Sequence, residues 1–187
     1  MDFRFKIKSI GSGWIDMAAS DGAKDFPIRI SNKSDPFDEL LEMLIRLDGL
    51  CASGDDFSDS PGDGLYLFWD GDNSQYTLKF TPLKNRIIRI EISLCENLAG
   101  GVHMKDVPGI SGETALDELM KSVYQDMLEI LRRHGFLGYR KEFKRSCFPV
   151  CYFLQLHKLV NGASPQQSGF VAELAAGALA AGTVTMT

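Results

Sequence analysis

The sequence lacks the short motifs that carry much of known catalytic chemistry. It has no Gly-x-Ser-x-Gly elbow, Walker phosphate loop, His-Glu-x-x-His pair or Rossmann glycine fingerprint. It contains three histidines, His103, His134 and His157. We interpret His134 as a cation at a helix C-terminus and His157 as a core residue. His103, in a glycine-rich loop, is then the one histidine that is a candidate catalytic residue. The sequence therefore favours a protein without enzymatic activity and without a cofactor.

Long apolar runs and an export signal are also missing. The N-terminus, MDFRFKIKSI, has no apolar h-region, and no window has the length and apolarity of a membrane helix. The four cysteines, Cys51, Cys95, Cys147 and Cys151, are irregularly spaced. Cys147 and Cys151 would share a helix face, but no second pair has zinc-ribbon spacing, so we expect reduced, buried thiols and no metal site. We expect a cytoplasmic protein with no membrane partner.

Lysine and arginine are absent between Arg46 and Lys79, an interval that carries seven aspartates. The chain has a formal net charge of -5. Phosphates need a cationic surface, so we expect no nucleic-acid partner, whereas a basic protein is a suitable one. Aromatic side chains between carboxylates are typical of such a binding surface. The predicted partner-binding residues are Asp55, Asp56, Phe57, Asp59 and Asp63 in one loop, and Trp69, Asp70 and Asp72 at a hairpin tip.

Two other interpretations of these aspartates stay open. Aspartate is a common turn former, so the interval can be two turns with no binding role. The order Asp70-x-Asp72-x-Ser74 also begins like a calcium-binding EF-hand loop, but Gln75 replaces the glycine and Thr81 replaces the final glutamate. The pattern excludes an EF-hand and leaves a weak, irregular calcium site as an alternative.

The opposite charge is concentrated in residues 132–145, RRHGFLGYRKEFKR. This stretch holds six Lys or Arg residues and one Glu, with aromatic residues between them. Such a pattern is compatible with single-stranded nucleic acid, which the overall acidity opposes. Pairing with the acidic interval, within the chain or across a homodimer, is the other interpretation.

Six short segments are predicted to be strands, four of them from alternation of apolar and polar residues. They are FRFKIKSI, WIDMAAS and FPIRIS, then LYLFW, QYTLKF and NRIIRIEISL. LYLFW is apolar throughout and is expected to be central, whereas Pro27 places the third strand at an edge. Residues 95–112 are expected to form a long connection.

Capping signals predict three helices. In the first, Asp35 is the N-cap, Pro36 the first helical residue and Gly49 the C-cap. The second begins near Ser111 and ends at His134, before Gly135. The segment FPVCYFLQLHKLV can be a strand or a helix, and Pro149 at a first-turn position favours a third helix.

These elements predict an α+β fold. We expect one antiparallel sheet of about six strands, in a βββα-βββα layout, with two or three helices packed on one face. Residues 1–162 would form a single domain, and residues 163–187, a low-complexity Ala- and Gly-rich tail, would be poorly ordered.

The segment SNKSDPFDELLEMLIRL, before an acidic loop and the strand LYLFWD, resembles a group of small bacterial α+β proteins. The resemblance extends to GFLGYRKEF and FPV, and Ser34, Asp35, Pro36, Phe37 and Leu41 carry most of it. Some members of the group are presumed immunity proteins of polymorphic toxin systems. The resemblance implies no catalytic residues. Together with the acidic interval, it suggests an inhibitor that binds a basic toxin domain. The alternative is a structural or adaptor domain, as a homodimer, with no dedicated ligand site.

Overall fold

The fold is α+β, as predicted, with seven strands and three helices in the part of the chain that is described. The computed structural model describes residues 3–53, 64–97 and 104–162. In chain order the elements are β1 (Arg4–Gly11), β2 (Trp14–Ser20), β3 (Asp25–Ser31), α1 (Pro36–Ser53), β4 (Leu65–Asp70), β5 (Ser74–Pro82), β6 (Ile87–Asn97), β7 (Met104–Ala115), α2 (Leu116–Phe143) and α3 (Val150–Asn161). The expected tail, residues 163–187, lies outside these ranges.

The strands form two antiparallel sheets, so the prediction of a single six-stranded sheet is wrong. One sheet has the order β1-β2-β3 and the other β4-β5-β6-β7. The two sheets touch at both borders without a continuous ladder. The Phe3 N–H donates to the Glu113 carbonyl at 3.5 Å, and the Ser31 hydroxyl donates to the Asp70 carbonyl at 3.0 Å. Isolated bonds of this kind hold two sheets together but do not make them one.

Strand β7 lies where the sequence predicted a connection. It pairs with β6 along its length, with a register shift: Ile92 lies opposite Ile110, whereas Leu94 lies opposite Val107. Two β7 residues, Pro108 and Gly109, lie there opposite the single β6 residue Ser93 and form a bulge. A Cβ atom on Gly109 would lie 1.8 Å from the Ile92 carbonyl oxygen. Proline and glycine usually mark loops, but here they mark the bulge of a strand.

The position of LYLFW is also corrected. Strand β4 lies at an edge of the four-stranded sheet, since only β5 pairs with it. Pro27 does lie in an edge strand, β3, as its missing N–H predicted. Apolar composition therefore did not identify the central strand of this sheet.

Helix α1 begins at Pro36, as predicted, but continues past Gly49 to Ser53, so Gly49 is not its C-cap. The Asp35 carbonyl accepts the first helical bond, from the Glu39 N–H at 3.1 Å. The Asp35 carboxylate receives a hydrogen bond from the Ser146 hydroxyl and lies 3.8 Å from the Arg145 guanidinium. Asp35 thus links the start of α1 to the segment after α2.

Helix α2 starts at Leu116 rather than near Ser111, and it is broken at Gly135. The backbone there has φ 61° and ψ -179°, so the predicted stop at Gly135 marks a real interruption. A further helical segment then runs to Phe143. The third predicted helix is confirmed as α3, with Pro149 at its N-cap.

The sheets and helices enclose one apolar core. Its largest fully buried side chains include Trp69, Tyr139, Phe3 and Phe37. Helix α2 crosses β1, and the Asp126 carboxylate accepts the Ile7 N–H at 2.8 Å where the β1–β2 register shifts. Burial raises the pKa of the Asp126 carboxyl, and the bond from Ile7 opposes that rise.

Candidate functional site

The predicted binding residues fall into two groups. Asp55, Asp56, Phe57, Asp59 and Asp63 lie outside the described residues, as does His103. Trp69, Asp70 and Asp72 lie at the end of β4 and in the β4–β5 turn. The candidate surface must therefore be built from this strand and its neighbours.

Trp69 is not an exposed anchor, contrary to the prediction. Its side chain is fully buried, with its ring 6.5 Å from that of Phe5. The indole Nε1–H makes no hydrogen bond to any residue that the structure describes, although the Glu39 carboxylate faces it. Burial raises the pKa of that carboxyl. A buried indole offers no surface to a partner, so Trp69 is a core residue.

Asp70 has a structural role at the border between the sheets. Its N–H donates to the Ser34 hydroxyl at 2.7 Å. Its carboxylate accepts a hydrogen bond from Ser34 Oγ and another from Gln75 Nε2, each at 3.4 Å. Ser34, one of the residues behind the family resemblance, therefore has a complete structural explanation. Asp72 follows two residues later, in the β4–β5 turn. It is exposed, so it is the aspartate of this pair that can contact a partner.

Two aromatic residues that the sequence analysis did not single out are exposed on β4. Tyr66 is 43% exposed and Phe68 is 53% exposed. Their rings are stacked, with centroids 6.3 Å apart and an interplanar angle of 9°. Because Leu67 and Trp69 face the core, Tyr66 and Phe68 must face the other way. Side chains of a strand alternate between its two faces, so knowing that Leu67 or Trp69 faces inward would have revealed that Tyr66 and Phe68 face outward.

The outer face of the four-stranded sheet continues from these aromatic residues as a shallow depression. Its volume is about 460 Å³. Its lining includes Tyr66, Thr77, Lys79, Glu91, Ser93 and Ser111. The Lys79 ammonium lies 6.0 Å from the Tyr66 ring centroid and 3.8 Å from the Glu91 carboxylate. We call Tyr66, Phe68 and this depression the outer sheet face.

The charges on the outer sheet face largely cancel. Lys79 is close to Glu91, and the Arg89 guanidinium donates to the Glu113 carboxylate at 2.9 Å. The exposed Asp72 lies beyond one end of β4, and the Asp-rich residues 55–63 precede its other end in the chain. The face is therefore a nearly neutral aromatic surface on a strand that acidic residues flank in sequence.

The histidines and cysteines that the structure describes form no metal-binding group. His157 is buried, and the Tyr124 hydroxyl lies 2.9 Å from its Nδ1. Burial lowers the pKa of His157, which favours the neutral ring. Its predicted role as a core residue is confirmed. Cys147 and Cys151 are exposed, not buried as predicted, and no metal-binding group of His, Cys, Asp and Glu occurs among the described residues.

None of the helices in the described part of the chain is both long and apolar enough to cross a membrane. Comparison of the chain with protein-family models, curated proteins and solved structures gives no match. The resemblance to immunity proteins therefore stays a prediction, and the outer sheet face is the candidate surface for binding a partner.

Proposed function

We propose that this protein is a non-enzymatic binding protein that holds a basic protein partner on the outer sheet face. The exposed, stacked pair Tyr66 and Phe68 is the observation that carries the proposal. An inhibitor of a basic toxin domain, as the family resemblance implies, is the specific form that we favour.

The aromatic pair supports a protein partner because of its size and position. Tyrosine and phenylalanine are enriched at interfaces, where large rings bury much area at a low cost in side-chain entropy. Stacking fixes the two rings against each other before binding, so less freedom is lost on association. Two adjacent exposed rings are also more than scattered surface apolarity, which needs no explanation.

The acidic flanks support a basic partner in particular. Asp72 and the four aspartates of residues 55–63 stand on either side of β4 in the sequence, with no Lys or Arg between Arg46 and Lys79. Such charges accelerate the encounter with a cationic protein and contribute less once the complex has formed. The rings would then supply most of the affinity and the aspartates most of the association rate.

The edge position of β4 supports an extended mode of binding. Within residues 3–53, 64–97 and 104–162, no strand pairs with the outer edge of β4, where Ser31 and Ser34 bind the backbone of Asp70 at one end of the strand. An edge strand can accept a strand from a partner through main-chain hydrogen bonds. The same edge gives the second candidate, a homodimer in which two β4 strands meet across a two-fold axis.

The test is a comparison of matched variants after partner capture. Immobilised protein would be exposed to lysate from the source organism at low and at moderate salt, and the captured protein identified by mass spectrometry and then purified. The double variant Tyr66→Ala, Phe68→Ala should bind that protein at least about 30-fold more weakly, the effect of one interface hot spot. Leu159→Ala, which truncates an exposed leucine on α3, should bind as the wild type does.

The charge contribution is tested separately. Asp55→Asn with Asp59→Asn should slow association and reduce its dependence on salt, with little effect on dissociation. Capture of a basic protein that both double variants hold as tightly as the wild type would contradict the proposal. A salt-indifferent self-complex, seen by sedimentation and lost in the aromatic double variant, would favour the homodimer.

A further inference from the structure

A positively charged surface lies on the last third of α2, away from the outer sheet face in the sequence. We call it the basic face. It consists of exposed side chains on both sides of the break at Gly135: Arg132, Arg133, Leu137, Arg140, Lys141 and Lys144. Leu137 is 79% exposed, more than any other large apolar residue described. A leucine so exposed within a group of cations is not explained by packing in the monomer.

The fold turns the aromatic residues of this stretch inward. Tyr139 and Phe143 are almost fully buried, and Tyr139 packs against Phe37 with ring centroids 6.1 Å apart. Helical spacing then places Leu137, Arg140 and Lys141 together on the opposite, solvent side. The aromatic residues interleaved in the sequence are thus unavailable for stacking on bases, which argues against single-stranded nucleic acid.

Part of the positive charge in this stretch is already neutralised. Arg145 lies 3.8 Å from the Asp35 carboxylate, and the Arg133 guanidinium pairs with Glu129 at 2.9 Å. The other cations, namely Arg132, Arg140, Lys141 and Lys144, have no ion pair with any described residue. The basic face therefore carries several positive charges that no described residue pairs with, around the exposed side chain of Leu137.

This combination fits a fluid anionic surface better than a rigid protein pocket. An exposed aliphatic side chain can enter the boundary between lipid headgroups and acyl chains, while long Lys and Arg side chains reach the charged headgroups around it. The chain as a whole is acidic, but screening confines electrostatic effects to about 10 Å at ordinary ionic strength. The local charge of the basic face then governs its approach to a membrane.

We propose that the basic face docks this protein on membranes that contain anionic phospholipid, with Leu137 entering the interface and Arg140 and Lys141 contacting the headgroups. This contact is peripheral and does not require a membrane-spanning helix. It does not depend on the outer sheet face.

The experiment is sedimentation of the full chain with vesicles. One set contains equal parts of phosphatidylcholine and phosphatidylglycerol, and the other contains phosphatidylcholine alone. Wild type should sediment with the anionic set only, less so as salt rises. Arg140→Gln with Lys141→Gln should reduce partitioning about 25-fold, since each basic residue near an anionic surface contributes about fivefold. Leu137→Ser should reduce it about fivefold while the salt dependence is retained.

A charge-matched control separates a local surface from a general charge effect. Lys24→Gln with Lys84→Gln removes the same charge from exposed lysines in the β2–β3 and β5–β6 turns. This control, and Tyr66→Ala with Phe68→Ala, should sediment as the wild type does. No binding to anionic vesicles, equal binding to both vesicle sets, or equal loss in the lysine control would overturn the proposal. Binding to an acidic peptide or RNA in place of vesicles would also overturn it.

Discussion

The break in α2 yields the sharpest prediction of the structure, through the substitution Gly135→Ala. Gly135 is buried, and its φ of 61° with ψ of -179° lies in a region that is essentially confined to glycine. A side chain forced into such a conformation costs about 1–3 kcal/mol. In a chain of 187 residues, that loss should lower the melting temperature by on the order of 2–10 °C.

The matched control adds the same methyl group to a helix interior. Gly49 lies within α1, and a Cβ atom there meets nothing within 4 Å. Alanine is the better helix former by about 0.5–1 kcal/mol, so Gly49→Ala should raise the free energy of unfolding. The two variants should therefore shift stability in opposite directions.

Urea unfolding followed by far-ultraviolet circular dichroism measures both effects. The midpoints should move in opposite directions while the denaturant slope stays constant. A neutral or stabilising Gly135→Ala would refute the break, since α2 would then be one continuous helix. A destabilising Gly49→Ala would show that α1 ends there with a left-handed C-cap, as the sequence alone predicted.

Two further predictions concern buried polar groups. Ser34→Ala should lower the free energy of unfolding by about 1–3 kcal/mol, because the Asp70 N–H loses its acceptor at the sheet border; an unchanged urea midpoint would argue against that bond. For His157, burial lowers the folded pKa below the ordinary 6.5, so the unfolded chain binds the proton first. The free energy of unfolding should therefore decrease as the pH drops from 6.5 through the pKa of His157 in the folded protein. Urea unfolding of His157→Gln at several pH values should show a smaller decrease. Equal pH dependence in the two proteins would contradict this assignment.

Local signals predicted most elements of the fold. Alternation predicted β1 and β3 to within one residue at each end, and Pro36 and Pro149 marked the starts of two helices. These predictions succeeded because capping and alternation depend on residues that are close in sequence. The failures concern long-range pairing. A bulge at Pro108 and Gly109 is stable only because β6 lies alongside, and nothing near these residues in the sequence shows that partner.

The candidate site shows the same contrast between local signals, which the sequence reveals, and long-range pairing, which it does not. The acidic interval is a property of composition and was visible at once, but which aromatic residues face solvent is a property of register. Strand β4 pairs Trp69 with Tyr76 and Leu67 with Leu78, and this ladder fixes Phe68 on the outer side. A shift by one residue would have exposed Trp69 as predicted. Sequence therefore located an acidic interval, whose residues 55–63 lie outside the described part of the chain, and misassigned Trp69 as an anchor.

The link between β1 and α2 has a consequence for synthesis on the ribosome. Ile7 reaches its partner Asp126 across 119 positions of sequence, and Phe3 bonds to Glu113. The first three strands can form a meander early, yet the elements that complete its cover are translated much later. During that delay the apolar side of the meander is open to other nascent chains and to chaperones. Prolonged arrest of translation before α2 should therefore favour aggregation over native assembly.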